Sequence, residues 1–241
     1  MRSLTRRAVA LGGLGASASL AGCAAMQDMP VFGTLIQKWP VEGAGPVRAP
    51  DYAKVYGKRE GERHAVPAFD YTILDPTFLR ADVAYAGQEP AGSIVIDPRR
   101  HQLFLVEVGG RATRYGIAVG PESRGFVGGG TVAAMRRWPD YAPSPAIVTA
   151  RPFVAWAQFG NERAYTAPAA PTIAGGPRSP RGARALYLAA GGRDAGYVVH
   201  GTPDPATVGT DVQTGCIALI NQDAMDLFGR VRDGTPVVVL A

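Results

Sequence analysis

Cysteine and histidine are scarce in this chain of 241 residues: only Cys23 and Cys216, and only His64, His101 and His200. Two cysteines cannot build a disulfide framework. Three scattered histidines, without a cysteine or carboxylate cluster beside them, offer no ligand spacing for a metal ion. GxSxG is absent, so a serine hydrolase has no anchor. No apolar run is long enough to span a bilayer, because the stretch from Ala8 to Ala21 is short and rich in glycine. "GLGASA" (13–18) only half-matches a dinucleotide fingerprint and follows no strand. No basic stripe with interleaved aromatics occurs, so nucleic acid is not an expected partner. No internal repeat is evident.

Acidic residues are also missing from the N-terminus until Asp28, while Arg2, Arg6 and Arg7 precede the apolar stretch. This is the layout of an export signal. The Arg6-Arg7 pair resembles a twin-arginine signal, which implies export in a folded state; the alternative is a Sec signal that happens to carry two arginines. Leu20-Ala21-Gly22-Cys23 resembles a bacterial lipobox, in which Cys23 is acylated and becomes the new N-terminus. The alternative is a small-residue cleavage site with an incidental cysteine. The expectation is a periplasmic lipoprotein held at a membrane by acyl chains, each buried methylene contributing about 0.8 kcal/mol. Ala24 after Cys23 favours the outer membrane over the inner.

Without those three arginines the chain holds 22 basic and 20 acidic residues, so the formal charge of +5 falls to +2. If Cys23 carries lipid, Cys216 has no partner within the chain. It is then a reactive thiol, a site of intermolecular bonding, or a buried inert cysteine.

Residues 24–90 are rich in Pro, Gly and Ala and read as a tether (24–60) followed by a lead-in (61–90) that packs on the domain through Tyr71, Ile73 and Phe78. From 91 to 241 the character changes to short β-branched runs. Strands are expected at 93–98, 102–108, 111–120, 183–189, 196–201 and 236–240, with a hairpin turn at Gly109-Gly110. One helix is expected at 222–231, with Asn221 as its N-cap. These elements point to a mainly β domain with a sandwich or barrel core. The segment from Gly120 to Pro145 reads either as a lid, with Gly128-Gly129-Gly130 as its hinge and Trp138 over substrate, or as a surface loop that Trp138 anchors.

His200 ends the apolar run "YVVH" and would emerge at the mouth of a sheet. Sixteen residues later comes Cys216. A cysteine nucleophile needs a thiolate, and an imidazole provides it by taking the proton. Gly215 allows a tight turn before Cys216, and Gln213 and Thr214 would line the same rim. Alternatively, His200 is a histidine satisfied by a backbone carbonyl. His101 lies at a turn between strands and is expected to be solvated; His64 has no context.

The segment "HGTPDPATVGTDVQTGCIALINQDAMDLFGRVRDGTPVVVL" (200–240) resembles the catalytic segment of L,D-transpeptidases with the YkuD-like domain. "IVIDPRRHQLFLVEVGGRATRYGIAVG", "RRWPDYAPSP" and "GGPRSPRGARALYL" resemble further segments of that domain in order. The resemblance implies a β-sandwich-like fold acting on peptidoglycan stem peptides without a cofactor. By position it implies Cys216 as nucleophile, His200 as base and the Gly201 carbonyl as orienter of the imidazole. The backbone N–H groups at Thr214 to Cys216 would form an oxyanion hole, and Arg184 would be structural. The acyl group would pass to a peptide amine, to an amine-bearing protein or to water. A protein that keeps the groove but has lost turnover would instead bind the wall. The family's arginine two residues after the cysteine is here Ala218.

Overall fold

The computed structural model describes residues 49–123, 126–142, 172–212 and 216–241. Its strands are β1 (Ala81–Ala84), β2 (Ile94–Asp97), β3 (Gln102–Glu107), β4 (Arg111–Gly116), β5 (Ala118–Val119), β6 (Gly128–Arg137), β7 (Arg184–Ala190), β8 (Arg193–Thr202), β9 (Ile217–Ile220) and β10 (Pro236–Val239). Among the described residues two α-helices accompany them, α1 (Tyr52–Val55) and α2 (Asn221–Arg230). The molecule is therefore mainly β, with one ten-residue helix after Cys216, as the sequence suggests.

All strands join one sheet in the order β1-β4-β3-β2-β10-β6-β7-β8-β9-β5. The β2–β10 and β8–β9 pairs are parallel and the rest antiparallel. β4 and β5 lie near opposite ends of this order, yet only Ile117 separates them in the chain. The sheet must therefore curl until its two ends meet. Ile94, Ile96, Leu103, Tyr115, Leu188, Ile217 and Leu219 fill the space inside. Burying each aliphatic side chain of this set stabilises the fold by roughly 1.5–3 kcal/mol.

The turn between β3 and β4 needs glycine, because Gly109 and Gly110 both adopt positive φ (76° and 67°). α2 follows β9 without a loop and drives Ala224 and Leu227 into the core. Ile220, not Asn221, occupies its N-cap position. Asn221 is the first helical residue, and its side chain is engaged elsewhere.

Two expectations about the loops are corrected. Residues 128–137 form β6, a strand between β10 and β7, and Gly128, Gly129 and Gly130 pair with Val239, Val238 and Val237. They are ladder positions, not a hinge. A Cβ on Gly130 would stand 2.7 Å from the Ala189 carbonyl oxygen, so the glycine permits close strand approach.

The lead-in also differs. α1 and Tyr56 fall in the stretch read as a tether, yet Tyr56 is 1% exposed. Its hydroxyl accepts from the Arg80 N–H at 2.7 Å and donates to Asp223 Oδ2 at 3.2 Å on α2. Burial pushes the Asp223 carboxyl up to about 7, while the Arg80 guanidinium at 3.3 Å opposes that shift. Tyr71 and Phe78 pack on the same cluster as expected, whereas Ile73 is 59% exposed.

Tyr56→Ala is expected to lower stability by about 3–5 kcal/mol in chemical denaturation, through lost packing and an orphaned buried carboxyl. Ile73→Ala should change it by less than about 0.5 kcal/mol. Equal effects of the two substitutions would show that this segment does not dock as described.

Candidate active site

The register of β8 against β9 builds the site. Val199 lies opposite Ile217 and His200 opposite Ala218. Side chains alternate across a strand, and Val199, Tyr197, Ile217 and Leu219 point into the core. His200, Val198, Ala218 and Cys216 therefore share the other face. On the far side of β8, β7 places Ala185 opposite His200 and Tyr187 opposite Val198. Alanine methyls on both flanks leave room for the imidazole.

His200 Nδ1 lies 2.7 Å from the Gly201 carbonyl oxygen. A carbonyl can only accept, so Nδ1 carries the hydrogen and Nε2 is left as the basic nitrogen. Burial lowers the His200 pKa to about 4, and the nearby Arg181 cation pushes in the same direction. The ring is neutral at pH 7 and able to take a proton.

Cys216 is 2% exposed and packs with Ala185 and Val198. Its Sγ lies 3.6 Å from Glu122 Oε2 and 3.7 Å from the Gly196 carbonyl oxygen. Burial, with Glu122 adding to it, pushes the thiol up to about 12; a backbone N–H near Val198 and the Arg181 cation pull the other way. The resting sulfur is thus a protonated thiol whose bonds run toward Gly196, away from His200 along β8. Glu122 is a neighbour of the Cys216 thiol that sequence reasoning did not find. It stands 94 residues away on a short turn, and no motif announces it.

Gly201 serves through its lack of a side chain as well as its carbonyl. A Cβ there would collide with Asn221 Oδ1. That Oδ1 accepts from the Ala183 N–H, and the Asn221 amide donates to the Thr202 carbonyl, both at 2.8 Å. One side chain thereby ties the end of β8, the turn before β7 and the start of α2. Reading Asn221 as a helix cap concealed this role.

Trp138 corrects the lid reading. It is 4% exposed, packs with Val66 and Ala183, and meets His64 edge-on at 5.1 Å. Its backbone N–H donates to the Ala183 carbonyl at 2.9 Å. Buried in this way, the indole anchors the end of β6 and offers no surface to a substrate. Cys23, Gln213, Thr214 and Gly215 lie outside the described residues. Arg184 is buried, bound to Glu62 at 2.5 Å and to the Ala183 carbonyl at 2.8 Å, with Phe228 under its guanidinium. His101 does occupy a strand turn (φ 54°), but its Nε2 meets Asp211 at 3.1 Å.

A cavity of about 310 Å³ opens beside His200, lined among others by Tyr141, Arg181, Thr202, Asp204 and Ala218. A larger one, about 480 Å³, lies at Arg80, Asp226 and Arg230, but neither cysteine nor histidine lines it. The smaller cavity is the one beside His200. Among the described residues no group of His, Cys, Asp and Glu is placed to hold a metal ion.

The low pKa of His200 has a stability consequence. An unfolded histidine takes its proton near pH 6.5, the folded one only near 4, so the unfolded state binds more protons between these values. Stability is expected to fall by about 3 kcal/mol as pH drops from 7 to 4 on account of this group. His200→Gln should flatten that part of the curve in denaturation experiments. An unchanged pH dependence would contradict the buried neutral ring.

A family model described as the YkuD L,D-transpeptidase catalytic domain matches residues 91–239. A Bacillus subtilis protein named as the L,D-transpeptidase YkuD is 42% identical over 43 residues, covering 18% of this chain and 26% of that protein. One from Fuscovulum blasticum, named as an L,D-transpeptidase in the ATP synthase subunits region, is 37% identical over 68 residues, 28% of this chain and 34% of that one. The chain thus matches about a quarter to a third of the length of these curated relatives. Among solved structures, a Brucella melitensis protein named as a carnitine operon oxidoreductase is 41% identical, covering 71% of this chain and 99% of that one at a TM-score of 0.44. An L,D-transpeptidase from Mycobacterium smegmatis is 17% identical, covering 82% and 88% at 0.42. With the family model spanning more than half of its length, the chain belongs to the YkuD family of L,D-transpeptidase catalytic domains.

Proposed function

We propose that this protein is a peptidoglycan L,D-transpeptidase in which Cys216 is the nucleophile and His200 its base. The observation that carries the reading is the hydrogen bond from His200 Nδ1 to the Gly201 carbonyl, on the sheet face that also bears Cys216. It fixes the tautomer whose Nε2 can accept a proton from sulfur.

The reaction begins when Sγ leaves Glu122 and Gly196 by rotation about χ1 and gives its proton to Nε2. The thiolate attacks the carbonyl after the third residue of a stem tetrapeptide. Backbone N–H groups at Thr214 to Cys216 are the expected donors to the oxyanion. As the C–N bond breaks, Nε2–H protonates the departing amine, and D-alanine leaves behind a thioester on Cys216. An acceptor amine then attacks the thioester carbon and loses its proton to Nε2. The C–S bond breaks, and His200 returns that proton to sulfur. The acceptor is a peptide amine or an amine-bearing protein; water in its place gives the carboxypeptidase or endopeptidase outcome.

The N-terminal signal supports action in the periplasm, with acylated Cys23 as the anchor. A second reading, a wall-binding lipoprotein without turnover, draws on the resting thiol held by Glu122 and on Ala218 in place of an arginine.

The deciding experiment is the intact mass of the purified protein after incubation with imipenem, beside Cys216→Ala. The expected result is one covalent adduct per wild-type chain and none on the variant. With tetrapeptide and an amine acceptor, the wild type should release D-alanine and form the joined peptide, and His200→Ala should slow release at least about 100-fold. D-alanine release without joined peptide assigns the hydrolytic outcome. Binding to sacculi that survives Cys216→Ala, with neither adduct nor product, assigns the non-catalytic reading.

A further inference from the structure

Ala218 and Arg181 line the same cavity as His200. Ala218 sits directly across the strand pair from His200, so its small side chain leaves the cavity floor open beside the base. Arg181 reaches into this space from the turn that precedes β7. Its guanidinium carbon stands 5.6 Å from the Tyr141 ring centroid and 5.4 Å from that of Tyr187. Both distances are within cation–π range, an attraction that uses the charge and leaves the N–H groups to hydrogen-bond elsewhere. Among the described residues no carboxylate forms an ion pair with Arg181. The other charges on the cavity are Arg178 and Asp204, both exposed, so cationic groups prevail.

The cavity's position relative to the reacting atoms decides what enters it. Along β8 the order is Gly196, Val198, His200, Thr202, with Cys216 bonded near the Gly196 end and the cavity at the Thr202 end. A departing amine must sit against Nε2 to be protonated, so the leaving amino acid lies on the cavity side of the sulfur. Its carboxylate carbon is only about 2.5 Å from the leaving nitrogen by backbone geometry. This negative group would enter the space that Arg181 spans.

We propose that Arg181 is the specificity-determining residue for the leaving group, binding the free carboxylate of the amino acid released at the His200 side of Cys216. The inference rests on the transpeptidase reading above. Because the acceptor amine must approach the thioester from the place the leaving amine vacated, the same guanidinium selects acceptors whose amine stands next to a carboxylate. Arg181 therefore favours amino-acid-like amines over simple alkylamines. The Arg181 cation also acts on both His200 and Cys216 through space, which agrees with its placement beside them.

The test measures binding without turnover. Stem tetrapeptides ending in D-alanine or in D-alaninamide are titrated by calorimetry into Cys216→Ala protein and into Cys216→Ala/Arg181→Gln protein. The acid is expected to bind about 10–100-fold more tightly than the amide to the first, with the ratio falling to within about threefold in the second. Cys216→Ala/Arg181→Lys should restore part of the preference, which separates lost recognition from lost folding. In the chain with Cys216 intact, Arg181→Gln should raise KM for the acid peptide far more than it lowers kcat, leaving the amide peptide's KM unchanged. An acid-to-amide ratio that is unity in the parent, or unchanged by Arg181→Gln, overturns the assignment. Arg181-dependent preference in a protein that makes no acyl-enzyme would sustain the site and sink the transpeptidase reading. Turnover without any Arg181-dependent preference would do the reverse.

Discussion

The parallel pairing of β8 with β9 is the constraint on which the site depends. Setting Val199 against Ile217 sends both into the core and leaves His200, Ala218 and Cys216 on the opposite face. A slip of one residue would turn the face bearing His200 and Cys216 inward and expose Ile217 and Leu219. The cost of exposing such aliphatic side chains is several kcal/mol, so the hydrophobic core itself holds the chemistry in register. β9 runs directly into α2, whose Ala224 and Leu227 bury in the same core, and Asn221 bonds the junction back to Ala183 and Thr202. The strand that follows Cys216 is thus fixed at its end by packing and by a bidentate amide.

Electrostatics set the resting state. Burial discourages charge on either partner, lowering the His200 pKa and raising that of Cys216. A neutral imidazole and a protonated thiol are therefore the stable pair, and the thiol points toward Glu122. The proposed reaction needs no standing thiolate at rest. In the proposed reaction proton transfer accompanies attack, when the developing oxyanion and the bound substrate supply stabilisation that burial of the two side chains withholds.

Local patterns carried much of this. The β-branched runs marked β2, β3, β7, β8 and β10, and Gly109-Gly110 marked the hairpin, because those signals depend on neighbours in sequence. Cys216 and His200 stood out as a pair through their spacing and flanking glycines. What was not legible depends on distant contacts. β6 carries Gly128, Gly129 and Gly130, which read as flexible until Val237–Val239 and Ala189 show why side chains are excluded there. Tyr56 looked like tether because its partners, Arg80 and Asp223, lie far along the chain. Trp138 read equally as a lid over substrate or as a loop anchor, and only its burial against Val66 and Ala183 decides for the anchor. Glu122 had no signal, and Arg181 was an ordinary loop arginine until the sheet brought it beside Ala218.

The most direct test of the Cys216–His200 pair is the pH dependence of single-turnover acylation of Cys216 by imipenem, in the wild type and in His200→Ala. A base with a pKa near 4 predicts a wild-type rate that rises through that value and is level across pH 6–8, whereas the variant's rate climbs with each pH unit as the thiol alone must ionise. A wild-type rate that climbs steadily across pH 6–8, in parallel with His200→Ala, would contradict proton transfer from Cys216 to His200.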